Sequence, residues 1–270
     1  MAAAERNRAL LAWYDANKRP LPWRETRDPW AILVSEVMSQ QTQISRVVPR
    51  WEAFMTRYPD PAALAGSDRS ELIRMWSGLG YQRRAINLQR AAEMIMRDGW
   101  PTTSADLTSL PGVGPYTAAA VACFAFGEPV PAVDTNLRRI LSRWLGRSLT
   151  GPELATVAGG LVDRNRAADW NQALMDLGAE LCRPREPDCG RCPVEADCLD
   201  PGVYRPPPTQ SRYEGSVRQA RAAVLRHVAE HGPTHLDGIT GLERVTVLEA
   251  VRDLEAEGLV ETTAGVVRIS

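Results

Sequence analysis

Apolar residues recur at three- and four-residue spacing through Trp30–Phe54, Ala85–Met96, Thr117–Phe126, Leu137–Leu145 and Trp170–Leu181. That spacing lines one face of a helix, so each stretch is expected to be helical. Pro59-Asp60-Pro61 and Gly78-Leu79-Gly80 punctuate the run, as turn residues do. No alternating strand pattern competes, and residues 1–181 are expected to form an all-helical domain. The pattern then changes. Residues 182–198 are a cysteine-rich loop, and 199–214 hold Pro206-Pro207-Pro208, which favours an extended linker and cannot continue a helix. Ser216–His231 and Glu243–Glu257 return to helical spacing, and Leu259–Ile269 reads as a β-hairpin turning at Ala264-Gly265. The fold class expected is mainly α, with a small α+β, winged-helix-like module over 215–270.

Composition narrows the chemistry. No apolar run approaches the roughly 18 residues a membrane span needs, and the N-terminus lacks a signal-peptide pattern. A cytoplasmic location and no membrane partner are therefore expected. The net charge of −1 gives no overall attraction to nucleic acid and leaves that task to a local basic face. Arginine supplies nearly all the positive charge: Lys18 is the only lysine, and the histidines (His227, His231, His235) all lie near the C-terminus. Chemistry in the first 200 residues must work without histidine and almost without an amine.

Four cysteines, Cys182, Cys189, Cys192 and Cys198, form a C-x6-C-x2-C-x5-C run. Disulfides fit poorly with a chain lacking an export signal. Four thiolates so close, with no histidine beside them, suit a zinc ion or a four-iron cluster. A single C-x2-C knuckle, where zinc ribbons usually show two, favours iron–sulfur. Cys123, inside an apolar helix, reads as core. Leu110-Pro111-Gly112-Val113-Gly114-Pro115-Tyr116 is a tight hairpin between helices, near the middle of 104–125. Its backbone N–H groups at Gly112, Val113 and Gly114 either cradle a phosphate or simply turn the chain. Asp134, in Val133-Asp134-Thr135-Asn136, stands where a helix cap is expected. Glu36, in Ile32-Leu33-Val34-Ser35-Glu36-Val37-Met38, is an acid among apolar neighbours. It either faces water or is a buried carboxyl of raised pKa, able to hand a proton to a leaving group.

In order, the chain carries Leu21-Pro22-Trp23-Arg24, Ser35-Glu36-Val37-Met38-Ser39-Gln40-Gln41-Thr42-Gln43 and Trp76-Ser77-Gly78-Leu79-Gly80-Tyr81. The hairpin, the Asp134 loop, Asn171-Gln172-Ala173-Leu174-Met175-Asp176-Leu177-Gly178 and the four cysteines follow. Over about residues 8–200 this series resembles the MutY-type adenine DNA glycosylases of the helix-hairpin-helix, iron–sulfur superfamily. The resemblance implies a [4Fe-4S] cluster on the four cysteines and, as partner, double-stranded DNA bearing a mispaired or damaged base, acted on by a monomer. It implies that Glu36 protonates adenine at N7 and that Asp134 stabilises or traps the sugar oxocarbenium ion, with Tyr116 and Asn136 as their partners. Arg19, Leu21, Trp23, Arg24, Gln172 and Asp176 would line the base pocket. Gln41 and Tyr81, with Leu79 beside them, would wedge into the base stack as the target is extruded, a step no enzyme working on a stacked base avoids.

Related enzymes that also cut the strand use a lysine amine near the hairpin. Here Tyr116 holds that position, and arginine stays protonated and non-nucleophilic, so a monofunctional hydrolase is expected. No counterpart of the family's β-rich, 8-oxoguanine-reading domain is expected in the residues after the linker, which are too few and too helical. Thr135 replaces a common glycine and Ser39 a common leucine, both near the pocket. Mismatch uracil or thymine removal on the same fold is therefore the alternative. More distant is an iron–sulfur, winged-helix transcription regulator. The C-terminal module reads as a DNA-binding or a protein-docking piece.

Overall fold

The computed structural model describes residues 3–206, 208, 212–239 and 241–270; Pro207 and Thr209–Ser211 of the expected linker lie outside the described residues. In chain order the helices are α1 (Ala3–Asn17), α2 (Pro29–Ser39), α3 (Ile44–Arg57), α4 (Pro61–Ala65), α5 (Arg69–Met75), α6 (Arg83–Asp98) and α7 (Ser104–Leu107). Then come α8 (Pro115–Phe126), α9 (Thr135–Trp144), α10 (Gly151–Leu161), α11 (Ala167–Glu180), α12 (Val217–His231) and α13 (Arg244–Ala256). Strands β1 (Thr234–His235), β2 (Val260–Thr263) and β3 (Val266–Ile269) lie near the C-terminus. None of these helices is long and apolar enough to cross a membrane.

Local chemistry sets the boundaries. Asp60, Asp68, Thr103, Asp134 and Ser216 each accept a backbone N–H from the first turn of the helix they precede, satisfying a donor that the helix leaves orphaned. Pro61 and Pro115 occupy first-turn positions, where a missing N–H costs nothing. The apolar run Trp30–Phe54 does not stay one helix. It breaks between α2 and α3 at the polar segment Gln40–Gln43, where Gln41 is left-handed at φ 54°. A four-residue polar stretch has no apolar face to bury, so nothing holds it helical across that gap.

The chain divides into two compact units: residues 1–36, 101–109 and 113–208, and residues 37–100, 110–112 and 209–270. In the first, α1, α9 and α11 bury Leu10, Leu11, Tyr14, Ile140, Leu141, Trp144, Trp170, Leu174 and Leu177 in one core. Helix α8 packs against α7 and α11, and its run Ala118–Cys123 is buried throughout, which small side chains allow. Residues after the cysteine loop also belong here. Asp200 N–H donates to the Arg143 carbonyl at 3.1 Å, and the Tyr204 ring lies 5.7–5.9 Å from the guanidinium groups of Arg138, Arg139 and Arg143.

In the second unit, α4 packs on α6, and Phe54 stacks at an angle on Tyr58 and edge-on to Trp76. Helices α12 and α13 pair over a three-stranded antiparallel sheet of order β1-β3-β2. The β2–β3 turn has Ala264 and Gly265 both at positive φ, the signature of a two-residue hairpin turn. Helix α12 rests on α5, where Arg74 donates to the Ala229 carbonyl at 2.6 Å and Arg69 to the Ser270 carbonyl at 2.9 Å.

Candidate active site

Glu36, on α2, is buried at 8% exposure. Burial raises its pKa to about 7, with the nearby charge of Asp134 pushing the same way. A hydrogen bond from the Tyr116 hydroxyl, then the Arg24 cation, oppose the shift. Tyr116 is held well above its ordinary range by burial and by the two carboxylates, so it remains a donor at any physiological pH. Asp134 caps α9. Its Oδ1 accepts the Leu137 N–H at 2.7 Å and its Oδ2 accepts from Asn136 Nδ2 at 2.7 Å. Burial raises its pKa, and these two donors act against the rise. The two carboxyls are close enough to feel each other's charge and have different support: Glu36, raised to about 7, is bonded by a phenol, and Asp134 is fixed by N–H donors.

Around them Asp176, wholly buried on α11, takes four donors. Its Oδ1 accepts from Arg19 Nε at 2.6 Å and Arg24 Nη2 at 2.8 Å; its Oδ2 accepts from Arg24 Nη1 at 2.7 Å and the Arg19 N–H at 3.2 Å. The two arginines hold its carboxyl below its ordinary pKa although burial works against them. With every acceptor site taken, Asp176 anchors the segment carrying Leu21 and Trp23, both buried. Gln172 Oε1 accepts from the Tyr14 hydroxyl at 2.5 Å, and the Arg24 guanidinium lies 5.8 Å from the Tyr14 ring. Tyr14 thus joins the same bonded cluster as Gln172 and Arg24, and the sequence did not single it out. No motif marks it, and it sits on the apolar face of α1, where an aromatic reads as core.

Two further side chains, Asn171 and Arg139, set the Asp134 loop. Buried Asn171 accepts the Ala132 N–H at 2.8 Å and donates to the Val130 and Ala167 carbonyls, each at 2.9 Å. Asn136 Oδ1 accepts from Arg139 Nη2 at 2.8 Å, and Arg139 also donates to the carbonyls of Gly178 (2.8 Å) and Cys182 (2.7 Å). This chain of bonds leads from Asp134 to the cysteine loop. A Cβ at Gly178 would fall 2.7 Å from Asn136 Cβ, closer than atoms pack, so only glycine lets α11 and α9 meet there. Arg139 and Arg143 are both buried on α9. Basic residues one turn apart beside the Ile140–Trp144 stripe were the available signal for them.

Cys182, Cys189, Cys192 and Cys198 line a cavity of about 160 Å³ with Arg143, Trp144, Leu177 and Leu181, and none is in a disulfide. Arg143 Nη1 lies 3.1 Å from Cys182 Sγ. Among the described residues no three Cys, His, Asp or Glu side chains close around a single ion. The four thiols share this one cavity, and thiolates are the donors that iron and zinc sites use.

The remaining predicted residues belong to the second unit or the hairpin. Gln41 and Tyr81 both have positive φ, 54° and 48°; Tyr81 is exposed and Leu79 buried. Gly112 has φ 78°, and a Cβ there would lie 2.8 Å from Asn87 Cβ. Val113 is buried and Gly114 is the N-cap of α8, so these positions can offer a ligand backbone groups only.

The family described as HhH-GPD superfamily base excision DNA repair protein matches residues 34–155. A protein of Mycobacterium tuberculosis H37Rv named adenine DNA glycosylase is 43% identical over 230 residues, 80% of this chain and 76% of its own. Its namesake in Mycolicibacterium smegmatis is 39% identical over 271 residues, 94% and 92% of the two chains. The chain belongs to the HhH-GPD superfamily of base excision DNA repair proteins and, within it, to the adenine DNA glycosylase family. Among solved structures, a thermostable thymine-DNA glycosylase superposes with a TM-score of 0.69 at 30% identity, over 74% of this chain and 98% of that one. An endonuclease III–DNA complex shares the fold, with a TM-score of 0.64 at 22% identity over 74% and 97%.

Proposed function

We propose that the chain hydrolyses the N-glycosidic bond of an adenine extruded from duplex DNA, opposite guanine or 8-oxoguanine, and leaves an abasic site. The observation that carries this reading is the Glu36–Tyr116–Asp134 arrangement. Tyr116 donates to one oxygen of Glu36, leaving the acid proton on the other free to move to adenine N7. The C1′–N9 bond then breaks, its electron pair leaving with the base. Asp134, a carboxylate held by Leu137 and Asn136, faces the cationic sugar until water adds at C1′ and loses a proton. Two carboxyls with divided roles also break acetals in glycosidases. Arg24, Trp23, Leu21, Arg19, Gln172 and Asp176 form the base pocket, the last by fixing the others. Gln41 and Tyr81 enter the stack, with Leu79 buried beside them, and Gly112, Val113 and Gly114 hold the backbone phosphate. Lyase chemistry needs an unprotonated amine in the site; Lys18 is exposed, so cleavage stops at the abasic product.

A panel of duplexes carrying A·G, A·8-oxoguanine, T·G and U·G, read on denaturing gels with and without hot alkali, tests this. Breaks at adenine that appear only after alkali are expected. Breaks at thymine or uracil with adenine intact would instead support the second reading, mismatch thymine or uracil removal. The superposition on a thymine-DNA glycosylase favours that alternative.

Cys182, Cys189, Cys192 and Cys198 are assigned to a [4Fe-4S] cluster, which when bound supplies a rigid, redox-active crosslink for the loop. Cys192→Ser is expected to lose iron and the brown absorbance on purification, and to lower thermal stability. Wild-type protein that carries zinc and no iron would overturn the assignment.

A further inference from the structure

Arg84, in the first turn of α6, is buried at 9% exposure and takes no part in the chemistry above. Its seven hydrogen bonds all go to uncharged oxygens. Nη1 donates to the carbonyls of Val37 (2.7 Å), Met38 (3.0 Å) and Gln40 (2.7 Å), the end of α2 and the residue before Gln41. Nη2 donates to the carbonyls of Leu79 and Gly80 (3.0 Å each) and to Thr42 Oγ1 (3.1 Å); Nε reaches the Tyr81 carbonyl at 3.4 Å. Thr42 ties the same two segments, its hydroxyl lying 3.2 Å from both the Gln40 and Leu79 carbonyls. The guanidinium also sits 5.6 Å from the Tyr81 ring and 5.5 Å from the Trp76 ring.

Gln41 and Tyr81 lie on different segments of the chain, and both hold the left-handed conformation that side chains other than glycine resist. Each is flanked by carbonyls that Arg84 holds. A flat fork with five N–H donors can bind both segments at once, whereas an ammonium has three donors at one point.

We propose that Arg84 is the positioning residue for the wedge: one guanidinium fixes the backbone beneath both Gln41 and Tyr81, so that the two side chains enter the base stack as a unit. The inference rests on reading Gln41 and Tyr81 as the wedge. Being buried among carbonyls, Arg84 is not spent on a phosphate, and its contribution is geometric.

Arg84→Lys keeps the charge and loses the fork. The test follows base extrusion by the fluorescence of 2-aminopurine placed beside the target adenine, with single-turnover base release and binding of undamaged duplex. A misplacement on the order of an ångström can cost roughly 100-fold in rate, and Arg84→Lys is expected to lose extrusion amplitude and release rate on that scale while binding undamaged duplex as wild type does. Because it acts through the wedge, adding Arg84→Lys to Tyr81→Ala should cause little further loss, as for residues of one network. Additive losses, or wild-type extrusion in Arg84→Lys, would overturn the proposal and leave the wedge reading standing. Full extrusion in both Tyr81→Ala and Gln41→Ala would sink the wedge reading itself. If Arg84→Lys fails to fold by circular dichroism, Thr42→Val serves, since it removes one shared anchor; a smaller loss of extrusion is expected, and none would count against the proposal.

Discussion

Glu36→Gln is expected to abolish base release and, at pH 8, to melt at a higher temperature than the unaltered protein. Glutamine keeps the shape and still accepts the Tyr116 hydroxyl, but it has no proton to give. General acid catalysis supplies about 10²–10⁴-fold, and single-turnover release should fall by at least that while DNA binding persists. Stability moves the other way. The folded protein holds the Glu36 proton up to about pH 7, whereas the free carboxyl releases it near 4.5. Between those values the folded state binds more protons, so the contribution to stability declines as pH rises from about 4.5 to 7 and is flat above. A shift of that size is worth on the order of 3 kcal/mol, and glutamine escapes it. Melting curves should therefore separate at pH 8 and converge near pH 4. Release by the unaltered enzyme should fall about tenfold per pH unit above 7, as the acid form is depleted. Coincident melting curves at pH 8 would contradict the burial of an acid at position 36, and near-normal release by Glu36→Gln would contradict its role.

The second large effect is on folding. Asp176→Asn removes the charge that two arginines share in a wholly buried position. Asparagine offers one acceptor oxygen and turns an N–H₂ toward a guanidinium. Breaking a buried pair from one side costs about 3–5 kcal/mol, which for a chain of this size lowers the melting temperature by roughly 10 °C. The segment bearing Leu21 and Trp23 loses its anchor as well, and base release should drop with it. If Asp176 instead met the base directly, the asparagine variant would melt normally and change which base it removes. Differential scanning calorimetry with the mismatch panel separates the two outcomes.

The helices were legible because α9 and α11 each line one face with apolar side chains, and three- and four-residue spacing reports that directly. Glu36 was legible because an acid among apolar residues has few inexpensive explanations. Asp134 was less so: as a cap it needs no further role, and only its motif set it apart. What stayed hidden depends on distant contacts. Arg84 looks like any arginine starting a helix until the carbonyls of residues 37–40 and 79–81 arrive around it. Asp176 was read as lining the pocket, since nothing local says that Arg19 and Arg24 saturate it. The break at Gln40–Gln43 was blurred because apolar spacing resumes in α3 with little change of phase. Strand β1 is two residues long, below what any periodicity can register, and it forms only because β3 is there to pair with it. The seat of α12 on α5 left no mark either, for an amphipathic helix states that it has a partner and not which one.

Gly178 bears on how freely this enzyme can drift. It touches no base and moves no proton, yet the missing methyl group is what lets Asn136 stand where it steadies Asp134. Even alanine, the mildest exchange available, would press on the side chain supporting the carboxylate. A lineage acquiring it would keep every reactive group and still lose base release, so inherited loss of activity can arise at a position that a catalogue of reactive residues would pass over.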